Sequence, residues 1–441
     1  MKFSRRQLLK SASLTAGAFG TLGTAAFPST ARAGQGVATA GTPPECTPLP
    51  PAFASLAPLG GRVRPIAADE YQTRIENAQR LMTESEPRFD AIFITPGTTL
   101  AYFTGIHWWP SERILALLIP RQGAPLLVSA AFEEGRLREL LRWPIDIRIW
   151  QEDENPYIVA SKWLTERSIA GNARVGVEET TRYVFFDGLR HAAPALQYSS
   201  ADPVTVGCRA RKSAHELELM RLACAATFDV YRATFASLRE GMSQDDVATL
   251  VSRGFAQMHL AGDAVVLFGA SAALPHGSRQ PQTLREGMGV LIDGGTILEG
   301  YHSDVTRTSL IGEPPAKLVA AFEIVRRAQD AALAAAAAGH ECGSVDDAAR
   351  KVISDAGFGP GYKYFAHRLG HGIGLDEHEW PYLVRGNRTI LKPGMTFSNE
   401  PGIYVVGDYG LRCEDDMVIG DSGPAQLLTP GFAPSLQKPI A

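Results

Sequence analysis

The sequence predicts two domains, an N-terminal α/β domain over residues 66–207 and a C-terminal α+β domain over residues 208–441. Three observations carry that expectation. Between residues 67 and 208 short apolar runs alternate with charged helical stretches, the pattern of strands separated by helices. Beyond Lys212 the text changes to two amphipathic stretches, then to glycine-punctuated strands with one long helix. The composition shift between the halves falls at residues 206–212.

The elements follow in order. Residues 1–33 open with the basic MKFSRRQLLK, continue through a mildly apolar stretch and end in Ala31-Arg32-Ala33, a small-residue cleavage pattern. Arg5 and Arg6 make this a twin-arginine export signal, so a protein that is periplasmic or otherwise exported by that route is expected. The apolar stretch contains serine, threonine and glycine and falls short of the roughly 20 strongly apolar residues of a span; no stable membrane span is expected after processing. Residues 34–65, rich in proline, glycine and alanine, read as a flexible arm. A helix ADEYQTRIENAQRLM comes next, then strands AIFITP, ILALLIPR and APLLVSA, a helix FEEGRLRELL, a strand DIRIWQ, a helix near VASKWLTERS and a strand ARVGVEE. In the second half, one long helix runs to Gly241 and another starts at Ser243, with Asp245 and Asp246 in its first turn.

Composition narrows the function classes. Hydrophobic residues make up 45% and charged residues 20% of the chain, the balance of an ordinary globular protein. Removing Lys2, Arg5, Arg6, Lys10 and Arg32 with the signal takes the formal charge from −4 to −9, which argues against nucleic acid or another polyanion as partner. Cys46, Cys208, Cys224, Cys342 and Cys413 show no paired metal-binding spacing and cannot all pair within one chain. Cys224 and Cys342 read as small buried hydrophobes.

Chemistry concentrates in four segments. In VLIDGGTILEGYHSDVTRTSLIG, residues 290–312, Asp293 ends a buried-looking strand and Asp304 lies on the next. A hairpin of that length brings the two acids face to face, where they repel unless a cation stands between them. Glu400 follows an apolar strand in TFSNEPGIYVV, and Glu414 lies in GLRCEDDMVIG. HRLGHGIGLDEHE holds His367, His371 and His378; its glycines favour a loop entering a strand over a helix. Four carboxylates with His371 form an oxygen-rich donor set with one nitrogen, suited to hard or borderline divalent ions such as Mn²⁺. Two divalent ions would balance the four negative charges.

Asp293, Asp304, His371, Glu400 and Glu414, in this order, resemble the five-ligand signature of the pita-bread metallopeptidases, the family of Xaa-Pro dipeptidase (prolidase) and aminopeptidase P. The spacing match spans about residues 206–436, and LAYFTG at 100–105 is similar to the N-terminal domain of the same family. The resemblance implies a pita-bread (creatinase/aminopeptidase-like) C-terminal domain holding two divalent ions, Mn²⁺ first and Co²⁺ or Zn²⁺ as alternatives. Asp293 would grip one ion, Asp304 and Glu414 would bridge both, and His371 and Glu400 would complete the other, with a hydroxide between the ions.

It further implies Glu400 as general base, His276 and His378 in catalysis, and His276, His367 and His378 against a small peptide substrate. Tyr404 and Arg412 match positions that orient ligands. Arg385, otherwise a surface arginine, is the candidate for a substrate carboxylate, with Arg412 as the alternative. Asp376, Glu377 and Glu379 have no ligand position in the pattern and read as solvated or structural. Related oligomers bring the loop HWWPSER, 107–113, into a neighbouring subunit's site, so a homodimer or homotetramer is expected. The leading expectation is a dipeptidase cleaving Xaa-Pro bonds. The alternatives are an aminopeptidase P-like enzyme, a hydrolase of another amide or of an organophosphate on the same ligands, and a non-catalytic peptide-binding module.

Overall fold

Six strands form the N-terminal sheet: β1 (Ala91–Ile94), β2 (Ala116–Pro120), β3 (Leu126–Ala130), β4 (Asp146–Trp150), β5 (Arg174–Val177) and β6 (Gln197–Ser200), in spatial order β4-β3-β2-β1-β5-β6. The computed structural model describes residues 48–441 apart from His276 and Arg279. The signal segment, the arm up to residue 47, Cys46 and His276 therefore lie outside the described residues. β1, β2 and β3 run antiparallel, while β3 with β4, β1 with β5 and β5 with β6 are parallel.

The sheet is covered on both faces, which is why its central strands read as unbroken apolar runs. Ile92, Ile94, Leu117 and Ile119 pack with residues of α1 (Ala68–Glu84), α2 (Thr98–Thr104) and α6 (Asp202–Arg209). Phe93, Leu118 and Val128 pack on the other side with residues of α4 (Pro156–Glu166) and α5 (Tyr183–Ala192); α3 (Glu134–Leu140) follows β3.

The C-terminal domain begins with α7 (Ala214–Phe235) and α8 (Gln244–Gln257). Ser213 and Glu216 cap the first helix reciprocally, and Ser243 with Asp246 caps the second. α7 stops six residues before Gly241, because Ser237 and Leu238 tighten into i→i+3 bonds and Gly241 N–H donates to Leu284 O instead. Strands β7 (Ala261–Phe268), β8 (Gly289–Leu298), β9 (Tyr301–His302) and β10 (Val305–Leu310) form one antiparallel sheet around β8.

Two helices follow, α9 (Ala316–Ala335) and α10 (Cys342–Asp355), where the sequence led us to expect one. In α10 the buried ion pair Asp346–Arg350 interrupts the apolar stripe, so the pattern did not advertise it. A second sheet, ordered β12-β11-β13-β16-β17, contains β11 (Gly370–Gly372), β12 (Glu379–Leu383), β13 (Thr396–Asn399), β16 (Asp415–Val418) and β17 (Gln426–Leu427). The hairpin β14 (Gly402–Val405) and β15 (Tyr409–Arg412) stands between β13 and β16 in the chain.

The flexible arm expected at 34–65 needs correction over its described part. Residues 48–65 are packed: Phe53 is fully buried, and with Leu56 and Leu59 it shares a core with Val230, Val251 and Phe255. Gln257 Nε2 fastens this strap through Phe53 O at 2.8 Å and Leu56 O at 3.1 Å. Pro51, one of the prolines that suggest a linker, instead starts a short 3-10 turn, Pro51–Ser55, which carries Phe53 into the core, and a second such turn follows at Gly60–Arg62. Across the domain junction, buried Arg74 of α1 donates to Tyr102 O at 2.7 Å, Glu216 Oε1 at 2.9 Å and Tyr301 OH at 2.8 Å. No described helix is long and apolar enough to cross a membrane. The four described cysteines are free and buried.

Candidate metal centre and active site

Four carboxylates and two histidines from separate strands and strand ends converge in the C-terminal domain. Asp293 sits inside β8, opposite Thr306 of β10, and Asp304 lies just before β10. The expected hairpin thus forms, with the short β9 in its turn. His371 is the middle residue of β11, Glu400 follows β13, and Glu414 precedes β16. Gly370 makes this arrangement possible: a Cβ there would stand 2.1 Å from Ser398 O, so only glycine lets β11 lie so close to β13.

Three overlapping groups offer ligand atoms within 4.8 Å of one another: Asp293, Asp304 and Glu414; His371, Glu400 and Glu414; and Asp304, His371 and His378. The first two share Glu414, which is the geometry of two adjacent cation positions with a common carboxylate. His371 Nδ1 faces Gly372 O at 3.0 Å. A carbonyl only accepts, so the proton is on Nδ1 and the Nε2 lone pair points at Asp304 Oδ2, 3.7 Å away, and Glu400 Oε1, 3.6 Å away. That is the tautomer a metal-binding imidazole requires.

The electrostatics favour a cation. Burial, followed by the Asp293 charge, pushes the Asp304 carboxyl well above the usual range. Burial, then Asp304 and Glu400, does the same to Glu414, and burial raises Glu400 to about 8. Asp293 goes the other way: burial would raise it, but Arg412 and Thr306 hold it below its ordinary 3.8. Burial, then His378, holds His371 down to about 3. Three carboxyls forced to keep protons beside a neutral imidazole form a donor set that divalent cations would ionise and balance. The residues present therefore fit a pair of such ions.

The surrounding contacts orient these groups. Arg412 binds Asp293 through Nη2, Thr306 Oγ1 through Nε at 3.0 Å and Tyr404 OH through Nη1 at 3.0 Å. Tyr404 OH donates in turn to His367 Nε2 at 2.7 Å, because His367 Nδ1 is committed to Arg368 O at 2.7 Å. Thr306 Oγ1 bonds both Asp293 and Glu414. From α10, Arg350 donates to Phe365 O and His367 O, each at 2.8 Å, and Asp346 accepts from Leu369 N at 2.9 Å. This buried pair therefore sets the segment that leads into His371.

The structure places the remaining expected residues unevenly. His378 is exposed, with its ring centroid 4.0 Å from that of His371. Arg412 is buried and occupied by Asp293, Thr306 and Tyr404. Arg385 is not brought to the cluster: it is half-exposed, with Nε 3.3 Å from Asp347 Oδ1. Arg368 received no role in the sequence reading, yet its charge acts on both His371 and Glu400, and its guanidinium stacks 4.0 Å from the Tyr382 ring centroid. Its position between His367 and Leu369 was the available signal.

Comparison with known proteins agrees with both halves of the fold. Residues 218–421 match metallopeptidase family M24, and residues 74–211 match the creatinase/prolidase N-terminal domain. The chain is 34% identical over 341 residues to the putative dipeptidase YkvY of Bacillus subtilis, covering 76% of this chain and 93% of that protein. It is 32% identical over 345 residues to the Xaa-Pro dipeptidase of Lactobacillus delbrueckii subsp. lactis, covering 77% and 92%. The crystal structure of dipeptidase PepE from Mycobacterium ulcerans superposes with a TM-score of 0.76 at 32% identity, over 83% of this chain and 98% of that one. With that neighbour, the C-terminal domain has the pita-bread fold the sequence led us to expect. Identity at this level across nearly the whole length of these relatives, with both domains matched in the same order, makes the chain a member of metallopeptidase family M24.

Proposed function

We propose that this metallopeptidase hydrolyses dipeptides with proline in second position, at a site holding two divalent ions, Mn²⁺ first among candidates. The observation that carries the reading is the pair of ligand-capable triads sharing Glu414; the relatives named dipeptidase and Xaa-Pro dipeptidase give the substrate class. Bound divalent cations polarise the scissile carbonyl and make water a nucleophile at neutral pH. The protein's own groups do the rest. On this reading Glu400 accepts the proton of the attacking water and passes it to the leaving imide nitrogen, His378 and His367 contact the substrate beside the scissile bond, and Tyr404 fixes the His367 ring. Because the imide nitrogen of proline has no hydrogen to donate, the wall around the ring needs no acceptor.

A substrate carboxylate calls for a cation, and the sequence assigned it to Arg385. Ala-Pro, Ala-Pro-amide and Ala-Pro-Ala should be compared on the wild type, Arg385→Ala and Arg368→Ala. A charged donor to a carboxylate contributes about 1.5 to 3 kcal/mol, so the amide and the tripeptide are expected to lose roughly tenfold to a hundredfold in kcat/KM. Equal cleavage of all three makes the enzyme an aminopeptidase. Loss of the preference in Arg368→Ala alone moves the carboxylate site from Arg385 to Arg368.

We further propose export by the twin-arginine route, on the basis of Arg5, Arg6 and the Ala31-Arg32-Ala33 pattern. Replacing both arginines with lysine is expected to retain the precursor in the cytoplasm; undiminished periplasmic protein on cell fractionation contradicts it.

A further inference from the structure

His378 is carried by the bend between β11 and β12, and the two acids beside it turn toward the domain junction. Asp376 accepts from Thr98 Oγ1 of α2 at 2.5 Å and from Arg209 Nη2 at 2.5 Å. Glu379 accepts from the same Arg209 Nη2 at 2.6 Å and from Lys212 Nζ at 2.5 Å. Arg209 closes α6 and also donates to Thr99 Oγ1 at 3.2 Å, while Lys212 lies in the linker to α7 and is anchored by its own N–H to Gly394 O at 2.8 Å. The side chains of Lys212 and Glu379 are 2% and 7% exposed. Their ion pair fills the space beside Gly374, where a Cβ would stand 2.6 Å from Glu379 Oε1 and 2.7 Å from Lys212 Cε.

The His378 ring is exposed, with its centroid 4.0 Å from that of His371, and where it can stand depends on the bend that carries it. The side chains on either side of His378, Asp376 and Glu379, are pinned by Thr98, Arg209 and Lys212 from the N-terminal domain and the linker, and the bend is also tied within its own domain, where His302 N–H donates to Gly374 O at 2.8 Å. We propose that Arg209 and Lys212 are positioning residues: through Asp376 and Glu379 they hold the bend that sets His378 beside His371. The domain junction thereby fixes the reacting geometry of the site. This rests on the peptidase reading for its effect on rate, though not for its effect on the His378 ring. Two cations against two carboxylates, of which all but Asp376 are largely removed from water, give bonds strong enough to hold one arrangement of the bend.

The test uses Lys212→Met and Asp376→Asn, each made in the wild type and in His378→Ala. A displacement of about 1 Å in a catalytic group costs up to about a hundredfold, so each substitution is expected to lower kcat of the metal-loaded enzyme by roughly tenfold to a hundredfold. KM and metal stoichiometry should hold, and Lys212→Arg should restore most of the rate. In the His378→Ala background the same changes should lower the rate by less than about twofold, because the group they position is gone.

A second measurement needs no turnover. The ring proton–nitrogen correlation of His378 in the metal-free protein, assigned by its loss in His378→Ala, should shift or broaden in both variants. An equal rate loss with and without His378, or an unchanged His378 signal, overturns the proposal. Absence of peptide hydrolysis by the wild type strikes the peptidase reading and leaves the ring measurement to decide this one. Asp376→Asn, at a partly exposed side chain, carries the test if Lys212→Met does not fold.

Discussion

Replacing Glu400 by glutamine is expected to lower kcat by roughly a thousandfold, within the range that a positioned general base supplies. The carboxylate stands where ligand and base roles meet. Oε1 is 3.6 Å from His371 Nε2 and Oε2 is 3.7 Å from His367 Nδ1. Ser398 Oγ lies 3.4 Å from Oε1 and aligns the group. Without metal, burial raises its pKa to about 8; divalent ions beside it would ionise the carboxylate and leave it able to take a proton. Glutamine preserves the shape but neither the charge nor the basicity. The fold should persist, because Glu400 N–H remains bonded to Leu369 O at 2.9 Å. The measurement is kcat and KM on Ala-Pro together with bound-metal stoichiometry. A rate within tenfold of wild type removes Glu400 from the chemistry.

The clustered acids were legible because each stands in or directly beside an apolar strand, and a carboxylate in such a place needs a partner. What holds them was not legible. Arg412 meets Asp293 across 119 residues and Thr306 across 106, and Arg209 reaches Glu379 across 170; no local pattern records contacts of that range. Asp376 and Glu379 read as solvated or structural, and their ion pairs with Arg209 and Lys212 depend on residues that only the folded chain brings near.

Arg385 shows the opposite failure. It lies seven residues after His378 in sequence, yet β12 intervenes, and five extended residues span about 17 Å, which takes the guanidinium to Asp347 at the surface. In the N-terminal half, strands were readable as apolar runs, whereas the strap at 48–65 was misjudged because proline content says nothing of what Phe53 buries. α10 escaped for a related reason: Asp346 and Arg350 are buried as a pair, so polarity in its sequence did not mean exposure.

Dialysis against a chelator is expected to abolish turnover and to make stability fall as the pH rises from 6.5 to 8. In the metal-free folded chain Glu400 holds its proton up to about pH 8, against an ordinary 4.5. Asp304 and Glu414 are likewise raised, and Asp416 is raised by burial to about 7. The unfolded chain has released all four protons by pH 6.5. The folded state therefore binds more protons across this interval, and each increase in pH favours unfolding. His371, held down to about 3 from 6.5, works in the opposite sense, chiefly below about pH 7, where the unfolded chain binds a proton that the buried ring refuses. Above pH 6.5 it offsets only about 0.4 kcal/mol, so the carboxyls dominate the interval.

One such group losing its proton there is worth on the order of 2 kcal/mol, enough to lower Tm by several degrees. With divalent ions restored the carboxylates that hold them are ionised in the folded state, so the slope should shrink to the small part Asp416 contributes, and Tm should rise with free metal concentration. Mn²⁺ and Co²⁺ are expected to restore turnover together with the flat profile. Thermal unfolding at pH 6.5, 7.25 and 8, with and without added Mn²⁺, measures both effects in one series. A metal-free Tm that is constant or rising over that interval contradicts the shared burial of these carboxyls, and full hydrolysis in a sample shown by elemental analysis to be metal-free removes the ions from the reaction.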